Sequence, residues 1–505
     1  MQAELQNKKK EDAFSSAHEQ YEKVLERLSS PELQKMNHGD IEGYVEHEGT
    51  ELLRRLVQGH LDLRASEEIS VTEVLGAEGE ERTHRRTGSK RQLETLFGPV
   101  TVARLGYRSN QVGVGALYPE DGRLNLSVDQ YSDGVRKRVA IEASKVSFGE
   151  TSQTLGATTG AQVGKRQCEE VTVKVAQDFT EFYRQRQQQQ QQAESSQDVL
   201  VLTSDGKGIV MHPEDLRAAT AKAAKASGQQ TKTRLSPGEK RQRKRMATVA
   251  SVYSTPRFER TADSIIGNER EPPERPAILN KRVWASVRLD AKTVIGSAFE
   301  EAASRDPKHL RDWVVLVDGE AHQLDYVQSA ALAQKVTVTI ILDFIHVLEY
   351  LWKAAFCFYS PGTPDAETWV KERALRVLQG TASSVAAGIR RSATLKSLTA
   401  KERANVDICA NYLLKYRDYL HYDEYLAKGF PIASGVIEGA CRHLICDRMD
   451  ITGARWRLDR AEAVLQIRAL RSSGHFDEYW TFHKLQEFKR NHASKFLNAE
   501  SIFST

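Results

Sequence analysis

Carboxylates follow three strand-like segments in the second half of the sequence. LVLTSD ends at Asp205, VVLVDG contains Asp318, and TIILD ends at Asp343. In open α/β sheets, ligands bind beyond the carboxyl ends of parallel strands, so acidic side chains there are candidate ligands. A single Asp at a strand end is most often a turn former or a helix cap. Three such residues in one part of the chain, two of them followed by Gly, favour a shared site.

Paired carboxylates on adjacent strands suit Mg²⁺, which prefers carboxylate and water oxygens in octahedral geometry. Two such ions about 4 Å apart can activate a hydroxyl nucleophile and stabilise the leaving oxygen of a phosphodiester. This chemistry requires a third acid from elsewhere in the chain. Glu438 is the candidate, because it interrupts an otherwise apolar helix-like segment, SGVIEGACRHL. The alternative for Glu438 is an exposed helix residue without a chemical role.

The cysteines indicate neither a disulfide framework nor a paired-cysteine zinc site. The chain has 5 of them, an odd number, and none form a CxxC pair. Cys441, His443 and Cys446 could bind a metal, but helix packing is favoured for them because no fourth ligand is evident. We expect reduced cysteines.

The segments around the three aspartates predict a mixed sheet. DVLVLTSDGKGIVM, KRMATVASVYS and RVWASVRL are β-rich and close in the chain, which favours neighbouring antiparallel strands. WVVLVDGE and VTVTIILDFIHV alternate with helical segments, so these strands should be parallel and buried on both faces. The pattern from 349 to about 428 is helical throughout. The predicted fold class is α/β, or α+β for the chain as a whole.

The first half of the chain predicts mainly helices. Residues 1–80 space apolar residues at three and four, a basic stretch follows at 82–92, and Gly98-Pro99 separates two alternating runs typical of a β-hairpin. Residues 135–183 predict three or four short helices broken at Gly149, Gly156 and Gly160, a pattern typical of a helix-turn-helix. Simple helix packing is the alternative. The Gln-rich segment at 184–197 is a flexible linker or an exposed helical extension.

A strongly basic segment lies between the first two predicted strands. Residues 232–246, KTRLSPGEKRQRKRM, carry seven Lys or Arg and one Glu, a density that repels itself unless solvent or a polyanion neutralises it. A solvated loop and a DNA contact are both consistent with this pattern. The candidate contacts are Lys240, Arg241, Arg243, Lys244 and Arg245.

Bulk composition excludes several classes of protein. A chain of 505 residues is too long for one hydrophobic core, and 40% hydrophobic with 28% charged residues is ordinary for a soluble protein. No apolar run of about 18 residues predicts a membrane span, and the polar N-terminus lacks the apolar core of a signal peptide. We therefore expect a cytoplasmic protein. The net charge of +4 says little by itself about partners.

Together these motifs resemble a known family. Asp205 in TSDGKG, Asp318 in LVDGE, Asp343 and His346 in LDFIHVLEYLWKAA, and Glu438 in SGVIEG are similar to the acidic triad and accompanying motif of DDE transposases. The similarity is to the Mutator-related bacterial insertion-sequence transposases of the Kra group, over most of residues 90–480. KRMATVASVY and GARWRLDRAEAVLQIRAL also fit that group. One departure is that YRSNQVGVGALYPEDGRL lacks the cysteine pairs of relatives, so a zinc-binding N-terminal module is not expected.

The resemblance implies an RNase-H-like catalytic domain with a helical insertion, preceded by a mainly helical DNA-binding region. In that fold the first and fourth strands are adjacent and parallel, which would bring Asp205 and Asp318 together. Asp205 would then lie within the first long strand of the sheet, and the small glycines after it would leave space for a phosphate backbone to approach. With Glu438 they would bind two Mg²⁺ ions, for which Mn²⁺ could substitute. Asp343 and His346 would orient the wall of the site, although Asp343 is an alternative second carboxylate.

The resemblance also implies contacts with DNA. Arg442, Arg448, Arg455 and Trp456 could hold the phosphate backbone and stack on a distorted base, although Trp456 is equally well explained as a core residue. The location of the basic segment on the catalytic domain favours a DNA contact there. Sequence-specific recognition would belong to residues 135–183.

The expected organisation combines these elements. It comprises a helical region (1–90), a hairpin and connector (91–134), a helix-turn-helix-like region (135–183), a Gln-rich linker (184–197), the catalytic domain (198–348 and 431–475) around a helical insertion (349–430), and a C-terminal tail (476–505). The expected function is a transposase that binds the terminal inverted repeats of its element and cleaves and joins DNA, as a homodimer or larger complex. The alternatives are a non-catalytic DNA-binding regulator and a metal-dependent nuclease without strand transfer.

Overall fold

The computed structural model describes residues 2–189, 197–226, 243–267, 274, 276–451 and 453–503, with side chains from residue 11 onward. The chain forms two compact units, one made of Met1–Phe182 with Phe476–Thr505 and the other of Tyr183–His475. Lys240, Arg241 and residues 190–196 of the Gln-rich segment lie outside the described residues. None of the helices in the described part of the chain is long and apolar enough to cross a membrane.

The regular elements alternate between helices and two sheets. The strands are β1 His84–Thr95, β2 Gly98–Arg108, β3 Val199–Val210, β4 Lys244–Thr255, β5 Leu279–Ser286, β6 Trp313–Val317 and β7 Val338–Leu342. The α-helices are α1 Gln2–Leu28, α2 His38–Glu67, α3 Pro119–Arg123, α4 Asp133–Ala143, α5 Phe148–Thr158, α6 Lys165–Ala176, α7 Phe179–Gln189, α8 Ala218–Ala226, α9 Ala262–Ile266, α10 Ala291–Arg305, α11 Ala321–Gln334, α12 Phe344–Ala355, α13 Pro364–Leu378, α14 Ala382–Leu395, α15 Ala404–Lys415, α16 Tyr422–Ala427, α17 Gly435–Ala440, α18 Asp447–Met449, α19 Leu458–Ser472, α20 Phe476–Asn491 and α21 Ala499–Phe503. Short 3₁₀ turns occur at Leu33–Lys35, Pro213–Asp215, Arg417–Tyr419 and Ala493–Lys495, and a π-helical turn at Cys441–Cys446.

The first unit contains the predicted hairpin. Strands β1 and β2 pair antiparallel, and the turn falls between Thr95 and Gly98 as the Gly-Pro pair indicated. Leu61 of α2 packs in a buried cluster with Leu93 and Val102 from the two strands. The apolar face of α2 therefore covers the turn end of the hairpin.

Helices α4, α5 and α6 pack against one another in the region predicted to resemble a helix-turn-helix. The prediction that Gly149 and Gly156 interrupt helices is wrong, because both lie within α5. Helix α5 begins instead at a capping box, in which Ser147 and Glu150 satisfy each other's backbone N–H groups. Whether this region reads DNA stays a prediction.

The C-terminal segment belongs to the core of the first unit rather than extending as a tail. Arg136 of α4 is fully buried and forms a bidentate ion pair with Glu487 of α20, with Nη2 to Oε1 at 2.7 Å. Asp178 accepts a hydrogen bond from the His483 ring at 2.7 Å. These contacts join positions that are roughly 300 residues or more apart in sequence.

The second unit is built around a five-stranded sheet with the order β5-β4-β3-β6-β7. Strands β3, β4 and β5 are antiparallel neighbours, whereas β6 lies parallel to β3 and β7 parallel to β6. The predicted mixed sheet is confirmed. All five residues of β6 are buried, as expected for a parallel strand covered on both faces.

The predicted helical block forms helices α12 to α16. The rings of Tyr350 in α12 and Tyr412 in α15 stack at 3.9 Å between centroids. Tyr422 of α16 donates a hydrogen bond of 2.6 Å to the Leu342 carbonyl at the end of β7. The block is therefore anchored directly to the sheet edge where the candidate carboxylates lie.

Candidate catalytic site at the edge of the mixed sheet

Asp205 lies within strand β3 rather than at its end. It pairs with Val249 of β4, and the antiparallel ladder continues without a break through Gly206 and Gly208. Asp205 Oδ1 accepts a hydrogen bond from the Gly206 N–H at 2.6 Å, and Oδ2 accepts one from the Cys441 thiol at 3.2 Å. The strand is fully buried up to Thr203 and partly or fully exposed from Ser204 to Gly208. Asp205 is thus placed where the buried strand first reaches solvent.

Asp318 follows directly after β6, which is the parallel neighbour of β3. The last residue pair of this ladder is Thr203 with Leu316, and both Asp205 and Asp318 lie two residues beyond it. Parallel strands in register advance together, so the two carboxylates occupy matching positions on adjacent strands. Asp318 Oδ1 accepts a hydrogen bond from the Glu320 N–H at 2.9 Å. The structure therefore brings these two predicted residues to the same edge.

Gln323 joins the two strand ends. Its Nε2 donates to the Ser204 carbonyl at 2.7 Å and to Ser204 Oγ at 3.2 Å, while its Oε1 accepts from the Asp318 N–H at 3.1 Å. The side chain is only 7% exposed. One amide thus holds the residue before Asp205 and the backbone of Asp318 together. No sequence pattern indicated this role, because Gln323 is one of several polar residues on a helix without a motif.

The loop after Asp318 is held by tyrosines of the helical block. Tyr412 Oη donates to the Asp318 carbonyl at 3.0 Å, and Tyr416 donates to the Gly319 carbonyl. Gly319 has φ +91°, and a Cβ at this position would lie 3.0 Å from a methyl carbon of Leu342. Glycine is required here for both conformation and space.

Asp343 is a buried hydrogen-bond acceptor at the end of β7. It is 2% exposed, and its Oδ1 caps α12 by accepting from the Ile345 N–H at 2.8 Å. Oδ2 accepts from the Ser434 N–H at 3.0 Å and also from the Ser434 hydroxyl. Both oxygens are therefore occupied, which favours a positioning role for Asp343 over the alternative of a second metal carboxylate. His346 is half-buried on the first turn of α12.

Glu438 lies on α17, just after Ser434. Its side chain is exposed and makes no hydrogen bond or ion pair with the residues that the structure describes. Residues three apart lie on neighbouring positions of a helix face, and Cys441, which contacts Asp205, is three residues after Glu438. Burial, followed by the Asp205 carboxylate itself, raises the pKa of the Cys441 thiol well above its ordinary value. The thiol therefore remains a hydrogen-bond donor to Asp205.

Helix α17, which carries Glu438, is followed directly by a π-helical turn at Cys441–Cys446. Such turns are rare and occur frequently at functional sites. Helix α17 and this turn both contact β3. The segment that carries Glu438 is therefore packed against the strand that carries Asp205.

The donor set suits a divalent cation, but the three acids are not assembled as ligands. Across the ranges described above, no group of three His, Cys, Asp or Glu side chains converges closely enough to hold a metal ion. This includes Cys441, His443 and Cys446, which the sequence left open as an alternative. What fits is the pair of Asp205 and Asp318 on adjacent strands, since carboxylate oxygens are the ligands that Mg²⁺ prefers. Glu438 has its carboxylate unengaged within the described structure.

The predicted DNA contacts divide into exposed and buried groups. Arg442 and Arg455 are exposed, and Arg442 lies 3.8 Å from Asp447 in a weak surface ion pair. Arg243 and Lys244 are exposed at the start of β4. Arg245 instead donates to the backbone carbonyls of Val287 (2.7 Å), Asp215 (3.1 Å) and Arg288 (3.3 Å), so its guanidinium holds loops of the protein together.

Arg448 and Trp456 are buried side by side. They are 3% and 4% exposed, and the Arg448 guanidinium lies 4.7 Å from the Trp456 ring centroid. Trp456 Nε1 donates to the Met449 carbonyl at 3.1 Å, and its backbone N–H bonds to Val210 at the end of β3. This burial favours the core alternative for Trp456, because stacking on a base requires an accessible ring.

Comparisons with known proteins give little further information. The sequence matches no protein-family model and no curated protein. A solved structure of the Drosophila P element transposase strand transfer complex matches over 73% of this chain and 82% of that chain, with 9% sequence identity and a TM-score of 0.23. At this level of similarity the match carries no argument about fold or function.

Proposed function

We propose that the chain is a DDE transposase that cleaves and joins DNA through Asp205, Asp318 and Glu438. One observation carries the proposal: Asp205 and Asp318 lie two residues beyond the same pair of the parallel β3–β6 ladder. Adjacent carboxylates at a strand edge are a means of holding divalent cations for phosphodiester chemistry. The contact between Cys441 and Asp205 supports Glu438 as the third acid, because it packs the Glu438 segment against β3.

The strand order supports an RNase-H-like catalytic domain. Three antiparallel strands are followed by two parallel strands, and the first and fourth strands are neighbours. The helical block between β7 and α17 corresponds to the expected insertion. In this proposal the block also acts on the site, because its tyrosines hold the Asp318 and Gly319 carbonyls.

The chain's own residues would hold the metal and shape its surroundings. Two bound Mg²⁺ ions would supply activation of a water or 3′-hydroxyl nucleophile and stabilisation of the leaving oxygen. Asp205, Asp318 and Glu438 would donate carboxylate oxygens to them. Gln323 and Asp343 would act as positioning residues, because they fix the two strand ends and the start of the Glu438 segment.

The DNA partner would be held by exposed cations of the same unit. Arg442 follows Glu438 by one turn, and Arg243, Lys244 and Arg455 are also exposed. Such contacts to phosphates position DNA without reading its sequence, so recognition of the element ends would belong to other residues. Joining two ends requires at least two copies of the active site in one complex, so we expect a homodimer or larger assembly on DNA.

The test is cleavage of duplex DNA carrying the inverted repeats that flank the gene, in Mg²⁺ or Mn²⁺. Asp205→Asn, Asp318→Asn and Glu438→Gln should each abolish cleavage while DNA affinity is unchanged, because each removes a ligand charge without removing a phosphate contact. Asp325→Asn is the matched control, since Asp325 is exposed on α11 and should leave the rate unchanged. Full activity in one variant would remove that residue from the metal site. Binding without cleavage by the wild type would instead indicate a DNA-binding regulator.

A further inference from the structure

The hairpin of the first unit carries an unusual density of positive charge. Strands β1 and β2 together contain six Lys or Arg and one acid, Glu94, which lies next to the turn. The basic stretch that the sequence showed at 82–92 is therefore mostly part of β1. A strand with this composition repels itself unless solvent, ion pairs within the protein or a polyanionic partner neutralise the charge.

The partly buried cations of the hairpin are paired within the protein. Arg104 forms an ion pair with Asp121 at 2.6 Å, and Arg91 lies 3.7 Å from the same carboxylate and donates to the Ser127 and Asp129 carbonyls. These two arginines therefore have a structural explanation. They hold the middle of the hairpin against the segment that follows it.

The cations at the open end have no such explanation. Arg85 and Arg86 on β1 and Arg108 on β2 are all exposed, and within the described structure none of their side chains forms a hydrogen bond or an ion pair. Lys90, also exposed, lies further along β1 opposite Ala103. Arg108 lies directly opposite His84, which is also exposed. Three arginines and one histidine are thus displayed together at one end of a two-stranded ribbon.

The backbone of this end is shaped by a bulge. The register shifts between Arg86 and Ser89, and Gly88 adopts φ +68°. Bulges increase the right-handed twist of a β-ribbon. A twisted two-stranded ribbon fits the major groove of B-form DNA, whose width of about 12 Å admits such an element.

We infer that the open end of the β1–β2 hairpin is a second DNA contact, which docks as a basic ribbon in the major groove of duplex DNA. This inference rests on the DNA binding in the proposed function but not on its catalysis. The contact lies in a different unit from the acidic residues. It also differs from the helix-turn-helix-like region that the sequence favoured for recognition.

The test is the salt dependence of DNA affinity in the full chain, measured by fluorescence anisotropy with a labelled duplex. In the Arg85→Gln, Arg86→Gln double variant the plot of log affinity against log salt should become shallower by about 2 units of slope, because each lost phosphate contact contributes about 0.9. Measured at 0.1 M salt and relative to a 1 M reference, the loss of these two contacts corresponds to a roughly 60-fold loss of affinity. Arg391→Gln with Lys401→Gln, two exposed cations of the helical block, is the charge-matched control and should change neither quantity.

Three outcomes decide the inference. A loss confined to the ribbon variant, with an unchanged melting temperature, supports it. Equal losses of DNA affinity in the ribbon and control variants would overturn it, because such losses would depend on the net charge of the protein and not on where the two charges lie. Equal competition by an A-form RNA duplex would also overturn groove docking, since the RNA major groove is too deep and narrow for side chains to read. If Mg²⁺-dependent cleavage is absent while the ribbon effect persists, only the proposed catalysis fails.

Discussion

The side-chain amide of Gln323 links the two strand ends by hydrogen bonds, so replacing it should disturb both of them. Replacing it with Leu keeps the approximate volume of the side chain but removes every polar atom that joins Ser204 to Asp318. The Asp318 N–H loses its acceptor at 3.1 Å, and the Ser204 carbonyl loses its donor at 2.7 Å. Because Gln323 is 7% exposed, water has little access to replace it.

The size of the effect follows from those two groups. A buried backbone donor or acceptor left without a partner costs about 1–3 kcal/mol, so two of them should lower the free energy of unfolding by about 2–6 kcal/mol. The Ser204 hydroxyl adds less, because it can rotate toward another partner. Loss of a partner that orients metal ligands typically lowers metal affinity or activity by about 10–100-fold.

Two measurements separate stability from positioning. Urea unfolding gives the stability change, and the Mg²⁺ concentration for half-maximal cleavage should rise at least about tenfold in Gln323→Leu, while DNA affinity is unchanged. Gln328→Leu is the control on the same helix, because Gln328 is exposed and its side chain makes just one hydrogen bond with the residues that the structure describes, at 3.3 Å to Tyr419. An unchanged Mg²⁺ requirement in a destabilised Gln323→Leu protein would show that Gln323 is structural and does not position the acids.

Three further predictions concern the supporting structure. Gly319→Ala should cost more than about 1 kcal/mol in unfolding experiments and exceed Gly362→Ala, because both glycines have positive φ but only Gly319 is crowded; equal costs would contradict the crowding. Burial would raise the pKa of Glu301, but Arg282 and Arg305 lower it to about 2, so Glu301→Gln should cost about 3–5 kcal/mol by leaving two buried arginines unpaired. As the control, Glu424→Gln removes an exposed ion pair with Lys428 at 4.0 Å and should cost under about 1 kcal/mol in the same denaturation series. Burial lowers the pKa of His492 to about 4, so between about pH 6.5 and 4 the unfolded chain binds more protons and stability decreases as the pH is lowered. His492→Gln should flatten that decrease in pH-dependent melts, and an unaltered slope would refute the assignment.

The strands of the second unit could be predicted because their composition is local information. Runs such as WVVLV are apolar and β-branched, and they became β6 with every residue buried. The position of Asp205 inside a long strand could be predicted from the whole set of motifs but not from its local sequence. Local turn chemistry in Ser-Asp-Gly favours a bend, whereas the structure continues the strand because pairing with β4 supplies hydrogen bonds through Gly206 and Gly208.

The residues that connect the site could not be predicted from the sequence. Gln323 and Cys441 act across 119 and 236 positions, respectively, and neither residue type signals a contact with a distant strand. The choice between a DNA contact and a core position for Trp456 could not be made from the sequence for a similar reason. Its flanking arginines suggested DNA, but its burial depends on packing beside Met449 and the end of β3. Long-range packing decides such cases, and periodicity carries no information about it.

The central claim is best tested by strand transfer. Purified protein would be mixed with duplexes carrying pre-cut element ends, a supercoiled target plasmid and Mg²⁺, and joined products would be counted by sequencing. The account predicts joining by the wild type and by Asp325→Asn, and none by Asp205→Asn, Asp318→Asn or Glu438→Gln. Cleavage of uncut ends without any joining would contradict the transposase assignment and indicate a nuclease. Joining that persists in the three acidic variants would contradict the proposed site.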